Sequence, residues 1–451
     1  MKDGNVKTLL RKFAVPAILA NLVSALYNIV DQIFIGQGVG VLGNAATNIA
    51  FPITTICLAV SLLIGVGAAS NFNLEMGRGN QARAKKIAGS TFSTLVILGV
   101  VMILIIRAFL EPMMIAFGAT ENLLPYAMTF TSITSLGIPF LLLSTGGTPL
   151  IRSDGSATYS MIAIMSGALL NIVLNPIFIF GLHWGIAGSA WATVISQVVS
   201  GIMVLAYIPR FKQVSLHLSE LRPSVTVVFS ILSLGVPAML NQVCVTLVQI
   251  LLNNLLRSSG ATSIYGADIP IAIAGIVMKL NTVFTSIILG LSQGAQPIVG
   301  FNYGAKAFDR VRSTYNLVLK WALAIGVVFW LGFQFFATDI IGIFGDSSKL
   351  YLEYGSHYLR VFLFFVFING MQMSSAIFFS SIGKAKIGTF LSLLKQFLIV
   401  APLLLVFNTW GGVSMIMYAA PVADLIAWIA AMVCVRRTYR KMHKQEALKL
   451  G

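Results

Sequence analysis

The chain has 451 residues, 57% of them hydrophobic and 10% charged, against roughly 45–50% and 25% in an average soluble domain. That composition excludes an ordinary water-soluble protein. Lys and Arg number 30 against 14 Asp and Glu, a net charge of +16, and the placement of those cations decides between a nucleic-acid surface and a membrane.

In chain order, twelve mostly apolar stretches are long enough to cross a roughly 30 Å hydrocarbon core as helices. They cover residues 12–36, 47–74, 88–109, 125–147, 158–181 and 187–208, then 226–256, 266–300, 312–336, 351–377, 387–407 and 412–435. The amino-terminal segment, with Lys2, Lys7, Arg11 and Lys12, shows no small-residue cleavage site after a short apolar core, so the first helix is read as retained. One set of connecting segments and ends holds 23 lysines and arginines, the other only Arg107, Arg257 and Lys349. Basic loops stay in the cytoplasm, which predicts an even number of spans with both termini on that side. Topology thus accounts for the excess charge, and no nucleic-acid partner is expected.

The second half repeats the first. Pro16-Ala17 pairs with Pro237-Ala238, Gly67-Ala68 with Gly294-Ala295, and Glu75-Met76-Gly77 with Asn302-Tyr303-Gly304. Gly155-Ser156-Ala157 pairs with Gly383-Lys384-Ala385, and Trp184-Gly185 with Trp410-Gly411. Six spans per half insert both halves in the same direction. The expectation is an all-α integral membrane protein of twelve transmembrane helices, in two six-helix lobes related by a pseudo-twofold axis along the membrane normal. The lobes are expected at residues 1–208 and 225–435, with a cytoplasmic linker at 209–224 and a basic tail at 436–451. Facing lobes leave a central cleft that can open to either side, which favours a transporter over a channel.

An ionised group near the bilayer midplane costs about 2.5–3.5 kcal/mol on insertion scales, so such residues are functional candidates. The clearest is Asp31, late in the first span, preceded on the same helix face by Asn21, Ser24 and Asn28. The fifth span offers Asn171 and Asn175 one turn apart, followed by Pro176, and the sixth offers Ser189, Thr193 and Gln197 at four-residue steps. A carboxylate among amide and hydroxyl oxygens can hold a small cation or take up a proton. Taken alone, Asn171, Asn175 and Thr193 fit helix–helix hydrogen bonds as well as ligands. In the second half, Gln242, Thr246, Gln249 and Asn253 stripe the seventh span and Lys279, Thr282 and Ser286 the eighth. Lys395 and Asp424 are the remaining deep ions, and Asp424 is expected to balance Lys395 or Lys279.

Cys57, Cys244 and Cys434 lie in apolar segments, and His183, His217, His357 and His443 are scattered, so neither a disulfide framework nor a metal site is expected. Gly36-x-Gly38-x-Gly40 reads as a tight outer turn rather than a phosphate loop. With no G-x-x-x-x-G-K-[ST] and no H-E-x-x-H, no enzyme is expected, and pumping would have to draw on an ion gradient.

Several stretches resemble the multidrug and toxic compound extrusion (MATE) family of antiporters, and the likeness covers almost the whole chain. They are the opening helix from Pro16 to Asp31-Gln32-Ile33-Phe34-Ile35-Gly36, and Arg152-Ser153-Asp154-Gly155. Then follow Leu170-Asn171-Ile172, Asn175-Pro176-Ile177-Phe178, Gly185 to Thr193, and Gly294-Ala295-Gln296-Pro297 through Tyr303-Gly304-Ala305. The resemblance implies a coupling-ion or proton site of Asp31, Asn171, Asn175 and Thr193, with Na+ possible at Asp31. Relatives often carry Asp where Asn175 stands, which leaves Asp31 as the sole carboxylate of this set. Another branch places acids in the seventh and tenth helices; here the seventh span has none and Glu353 begins the tenth.

The expected function is a secondary antiporter of the bacterial inner membrane. It exports amphipathic, cationic organic compounds in exchange for H+ or Na+, as a monomer in the lipid bilayer, with no cofactor besides the coupling ion. Ser24, Tyr27, Asn28, Gln197, Gln242, Gln249, Lys279, Lys395 and Asp424 are the candidate cleft-lining residues. The alternative is a flippase for a lipid-linked precursor or an exporter of an anionic metabolite, which Lys279 and Lys395 would suit.

Overall fold

The computed structural model describes residues 4–216, 218–266, 268–344 and 348–450; Lys2 and His217 lie outside them. Among these residues eleven single helices are long and apolar enough to cross a membrane, and a bent pair makes the twelfth span. The first six are Val6–Gly38, Leu42–Gly77, Gln81–Ala108, Leu124–Ser153, Ala157–Gly181 and Gly185–Arg210. The second six are Val225–Gly260, Asp268–Gly304, Phe308–Phe335, Lys349–Phe362 with Val366–Ser381, Ala385–Gly411 and Val413–Ala447.

The helices outrun the apolar stretches that announce them, because hydropathy marks the hydrocarbon core whereas helix ends are set by caps and turns. Asn5 accepts the Lys7 backbone N–H at 2.9 Å and starts the first helix well before residue 12. The basic residues from Arg436 onward, read from the sequence as a separate tail, continue the last helix through Leu450. The glycine run at 36–40 also divides: Gly36 and Gly38 are still helical, and Gly40 alone takes the left-handed turn, at φ +81°.

The duplication is visible in the backbone. Gly155 and Gly383 turn at φ +97° and +76° before the fifth and eleventh spans, and Lys306 (φ +57°) stands where the first half has Gly79 (φ +79°). Short helices Leu110–Ala116 and Ala337–Phe344 follow the third and ninth spans. The fourth span is interrupted by a 3₁₀ turn at Ser135–Gly137, and the tenth bends by 46° at the corresponding place.

Two apolar cores form, one per lobe, and each lobe's first helix begins in the other's core. Leu10, Phe13 and Ala14 pack with the second-half core, and Val227 and Ile231 with the first-half core. Where the lobes meet, glycine lets backbones touch. A Cβ on Gly67 would strike the Ile231 carbonyl, and one on Gly294 would strike the Ala14 backbone. Gly77 lies against the Phe301 carbonyl and Gly304 against the Leu74 carbonyl, a reciprocal pair that marks the pseudo-twofold axis between the second and eighth spans. Asn71 donates to the Ser230 carbonyl at 2.8 Å, Gln296 to Ser70 Oγ at 3.0 Å, and Asn21 and Arg152 both donate to Gln293 Oε1, at 3.2 and 3.1 Å. These contacts lie at the end of the bundle that carries the basic loops. Toward the other end, Asn28, Leu247, Lys279 and Thr282 are exposed.

Candidate functional site

Three spans of the first lobe converge on Asp31. It is half-buried near the end of the first span away from the basic loops. Asn175 of the fifth span donates its amide to Asp31 Oδ1, and the same amide lies 3.0 Å from Asn171 Oδ1 one turn earlier. Asn171 in turn donates to Thr193 Oγ1 of the sixth span at 3.3 Å, and Ser189 Oγ donates to Asp31 Oδ1 at 3.4 Å. Asn171, Asn175 and Ser189 are fully enclosed, at 1%, 0% and 0% exposure. Asn175 Oδ1 has no hydrogen-bond partner. A buried oxygen left unpaired costs about 1–3 kcal/mol, so this corner has a vacant acceptor beside a carboxylate.

Local sequence explains how the fifth span presents these groups. Asn171 and Asn175 share one face by their four-residue spacing. Pro176 removes a backbone donor, and the helix relaxes into a π-helical stretch over Ile177–Gly181. Such wide turns often occur at functional positions because they re-aim neighbouring side chains. Gly38 at the close of the first span sits against Ile179 and Phe180 of that stretch, where a side chain would not fit. The two helices can therefore close over the carboxylate.

All four residues of the expected ion set thus come together. Ser189, expected only as one of a polar stripe with Thr193 and Gln197, joins them. Its signal was the four-residue step to Thr193; its reach to Asp31 depends on how the first and sixth spans cross. Gln197, one step further along that stripe, points elsewhere: it lies against Gly137 of the fourth span, with Oε1 buried and unpartnered. Tyr27, one turn before Asp31, is half-buried and within electrostatic reach of it. Ser24 is half-buried, and the exposed Asn28 folds its amide back onto the Ser24 carbonyl at 2.7 Å. Asn21, expected on the same polar face, serves the lobe contact with Gln293 instead.

In the second lobe, Gln242 and Gln249 are half-buried along the seventh span. Lys395 forms an ion pair with Asp424 at 2.8 Å and donates to Asn369 Oδ1 at 2.6 Å. Of the two partners expected for Asp424, Lys395 takes the place; Lys279 is exposed. Lys395 sits in a π-helical stretch over Leu394–Val400, and Asn369 lies just past the bend of the tenth span. The sequence did not single out Asn369, since its role depends on that bend.

Comparison with known proteins agrees with this architecture. The MatE family model matches residues 16–177 and 237–406, one stretch in each lobe. The multidrug export protein MepA of Staphylococcus saprophyticus is 26% identical over 435 residues, covering 94% of this chain and 92% of that protein. MepA of Staphylococcus aureus is 25% identical over 427 residues, with the same coverage. Among solved structures, the outward-facing conformation of a multidrug resistance MATE family transporter of the MOP superfamily superposes with a TM-score of 0.91 at 22% identity, covering 98% and 97% of the two chains. A MATE crystal structure in the straight conformation gives a TM-score of 0.90 at 22% identity, covering 98% of each chain.

Proposed function

The chain belongs to the MatE family, and from that premise we propose that it is a secondary antiporter of the bacterial cytoplasmic membrane, exporting amphipathic organic cations in exchange for H+ or Na+. The observation that carries this reading is the Asp31 cluster, a single carboxylate enclosed by amide and hydroxyl groups with one acceptor, Asn175 Oδ1, left free.

A proton would bind on Asp31 and weaken its hold on the Asn175 amide. A sodium ion would be held by the Asp31 carboxylate, Asn175 Oδ1 and the Ser189 and Thr193 hydroxyl oxygens, the hard oxygen donors that such an ion takes. Either ion removes the net charge of the site. Neutralising Asp31 changes the balance between the first span and the fifth and sixth spans. The first span also carries the lobe contacts through Ala14 and Asn21, so a change in its upper half can be felt at the lobe interface.

The lobes are joined at the basic-loop end, which under the positive-inside rule is the cytoplasmic face, with both termini there. The cleft is then open to the outside, the state in which an antiporter takes up its coupling ion and releases cargo. Energetics constrain the exchange. One charge entering is worth about 2.3 kcal/mol per 100 mV, and a monovalent cation leaving costs the same. A one-for-one proton exchange therefore runs on the pH difference alone, at about 1.4 kcal/mol per unit. Cationic cargo is favoured over anionic cargo because Lys395, one of the two lysines that would suit an anion, is already neutralised by Asp424.

Reconstitution into liposomes tests this with ethidium and an anionic dye under imposed proton or sodium gradients. Ethidium should accumulate against its gradient under one of the two ions. Movement of the anionic dye alone would replace the proposal with anion export.

A further inference from the structure

On the basic-loop side of the first lobe, remote from Asp31, lies a cavity of about 420 Å3 that the transport site does not use. One wall is the start of the fifth span. Gly155 turns the chain at φ +97°, and the twenty-residue helix from Ala157 begins with no side chain capping its first amides. Such a start carries unpaired N–H donors and roughly half a positive charge. Ser156 lines the cavity and is only 7% exposed. The neighbouring Tyr207 hydroxyl is taken by Asp154 at 2.7 Å.

Three cations complete the rim: Lys12 of the first span, Arg210 at the end of the sixth, and Lys212 in the linker between the lobes. Asp154 stands beside them and partly offsets Lys212. Its carboxylate is occupied by Tyr207 and by the backbone N–H groups of Lys212 and Gln213, each at 2.8 Å. Burial holds its carboxyl above the usual range, although these donors and Lys212 pull it down. An open helix start and clustered cations suit a phosphate group.

The surroundings indicate what carries the phosphate. Val15, Leu19 and Leu26 are exposed on the same face of the first span as Lys12. Ile162, Leu169 and Val173 are likewise exposed on the face of the fifth span that begins at Thr158. The two helices pack together, so paired apolar stripes run from the cavity mouth into the depth of the membrane. Basic pockets between helices at the cytoplasmic surface are suited to lipid headgroups.

We propose that this cavity is a binding site for the phosphate of an anionic phospholipid, whose acyl chains lie along the exposed stripes of the first and fifth spans. The bound headgroup ties together the first span, the fifth span and the linker between the lobes.

The test is native mass spectrometry of the full-length protein in neutral detergent, titrated with phosphatidylglycerol, phosphatidylcholine or inorganic phosphate. One phosphatidylglycerol should be retained per chain in preference to phosphatidylcholine, with inorganic phosphate a poor competitor. Each cation removed should weaken retention about fivefold, so Arg210→Gln with Lys212→Gln should show the compounded loss. Arg436→Gln with Arg437→Gln, which removes two exposed cations from the last helix, should retain the lipid. Equal loss in the two double variants would overturn the proposal in favour of diffuse surface charge. Inorganic phosphate binding as well as the lipid would overturn the lipid assignment.

Discussion

Asp31 is held in place by groups that also limit what it can bind. Its donors are one amide and one hydroxyl, both buried, and support of this kind is typically worth 10–100-fold in ion affinity or activity. Asn175→Ala removes an amide donor and the free acceptor together, and should lower gradient-driven transport by about that factor; Ser189→Ala should cost about 1 kcal/mol, read as a several-fold weaker ion dependence. Dye transport assayed against ion concentration checks both. In the other lobe, Lys395→Met alone strands Asp424 at 5% exposure and should destabilise the protein by about 3–5 kcal/mol, whereas Lys395→Met with Asp424→Leu should recover most of that. Thermal melting in detergent measures the difference. Asn171, Asn175 and Thr193 were legible because i, i+4 spacing gathers polar groups on one helix face before any fold is known. Gln197 obeys the same spacing and still points away, since spacing fixes a face but not which neighbour the side chain meets.

The helices themselves were legible because lipid forces every backbone group into an internal hydrogen bond, so apolar length alone announces a span. Their ends were less so. Asn5 sets one boundary, and the basic run beyond Arg436 keeps its helical hydrogen bonds after the apolar signal stops. The crossing of lobes was also hidden, because it rests on glycines whose meaning depends on the backbone opposite. Gly67 and Gly294 were paired by repeat alone, and only the fold shows that each touches the first helix of the other lobe. Gly67→Val places a side chain against the Ile231 carbonyl and should cost about 1–3 kcal/mol of that interface. The readout is a disulfide between Asn71→Cys and Ser230→Cys, positions brought together where the Asn71 amide meets the Ser230 backbone carbonyl, in a background lacking the three native cysteines. Cross-linking should fall in the valine variant; an unchanged yield would mean the lobes do not rely on this contact.

At the scale of the molecule, duplication sets two six-helix lobes against each other along one seam. Each lobe keeps its own core, and each lends the other the first turns of one helix. The seam is tight at the basic end and open at the other, so the proposed ion site faces the open side while the proposed lipid site lies at the closed one. This division gives the first span two parts: its beginning belongs to the interface and its end to the proposed ion site. The claim that the two are linked through Asp31 is tested most directly in liposomes with Asp31→Asn, by comparing ethidium accumulation under an ion gradient with gradient-free exchange of ethidium across the membrane. The variant should still exchange ethidium but no longer accumulate it in response to the gradient. Accumulation equal to that of the unaltered protein would show that coupling resides elsewhere.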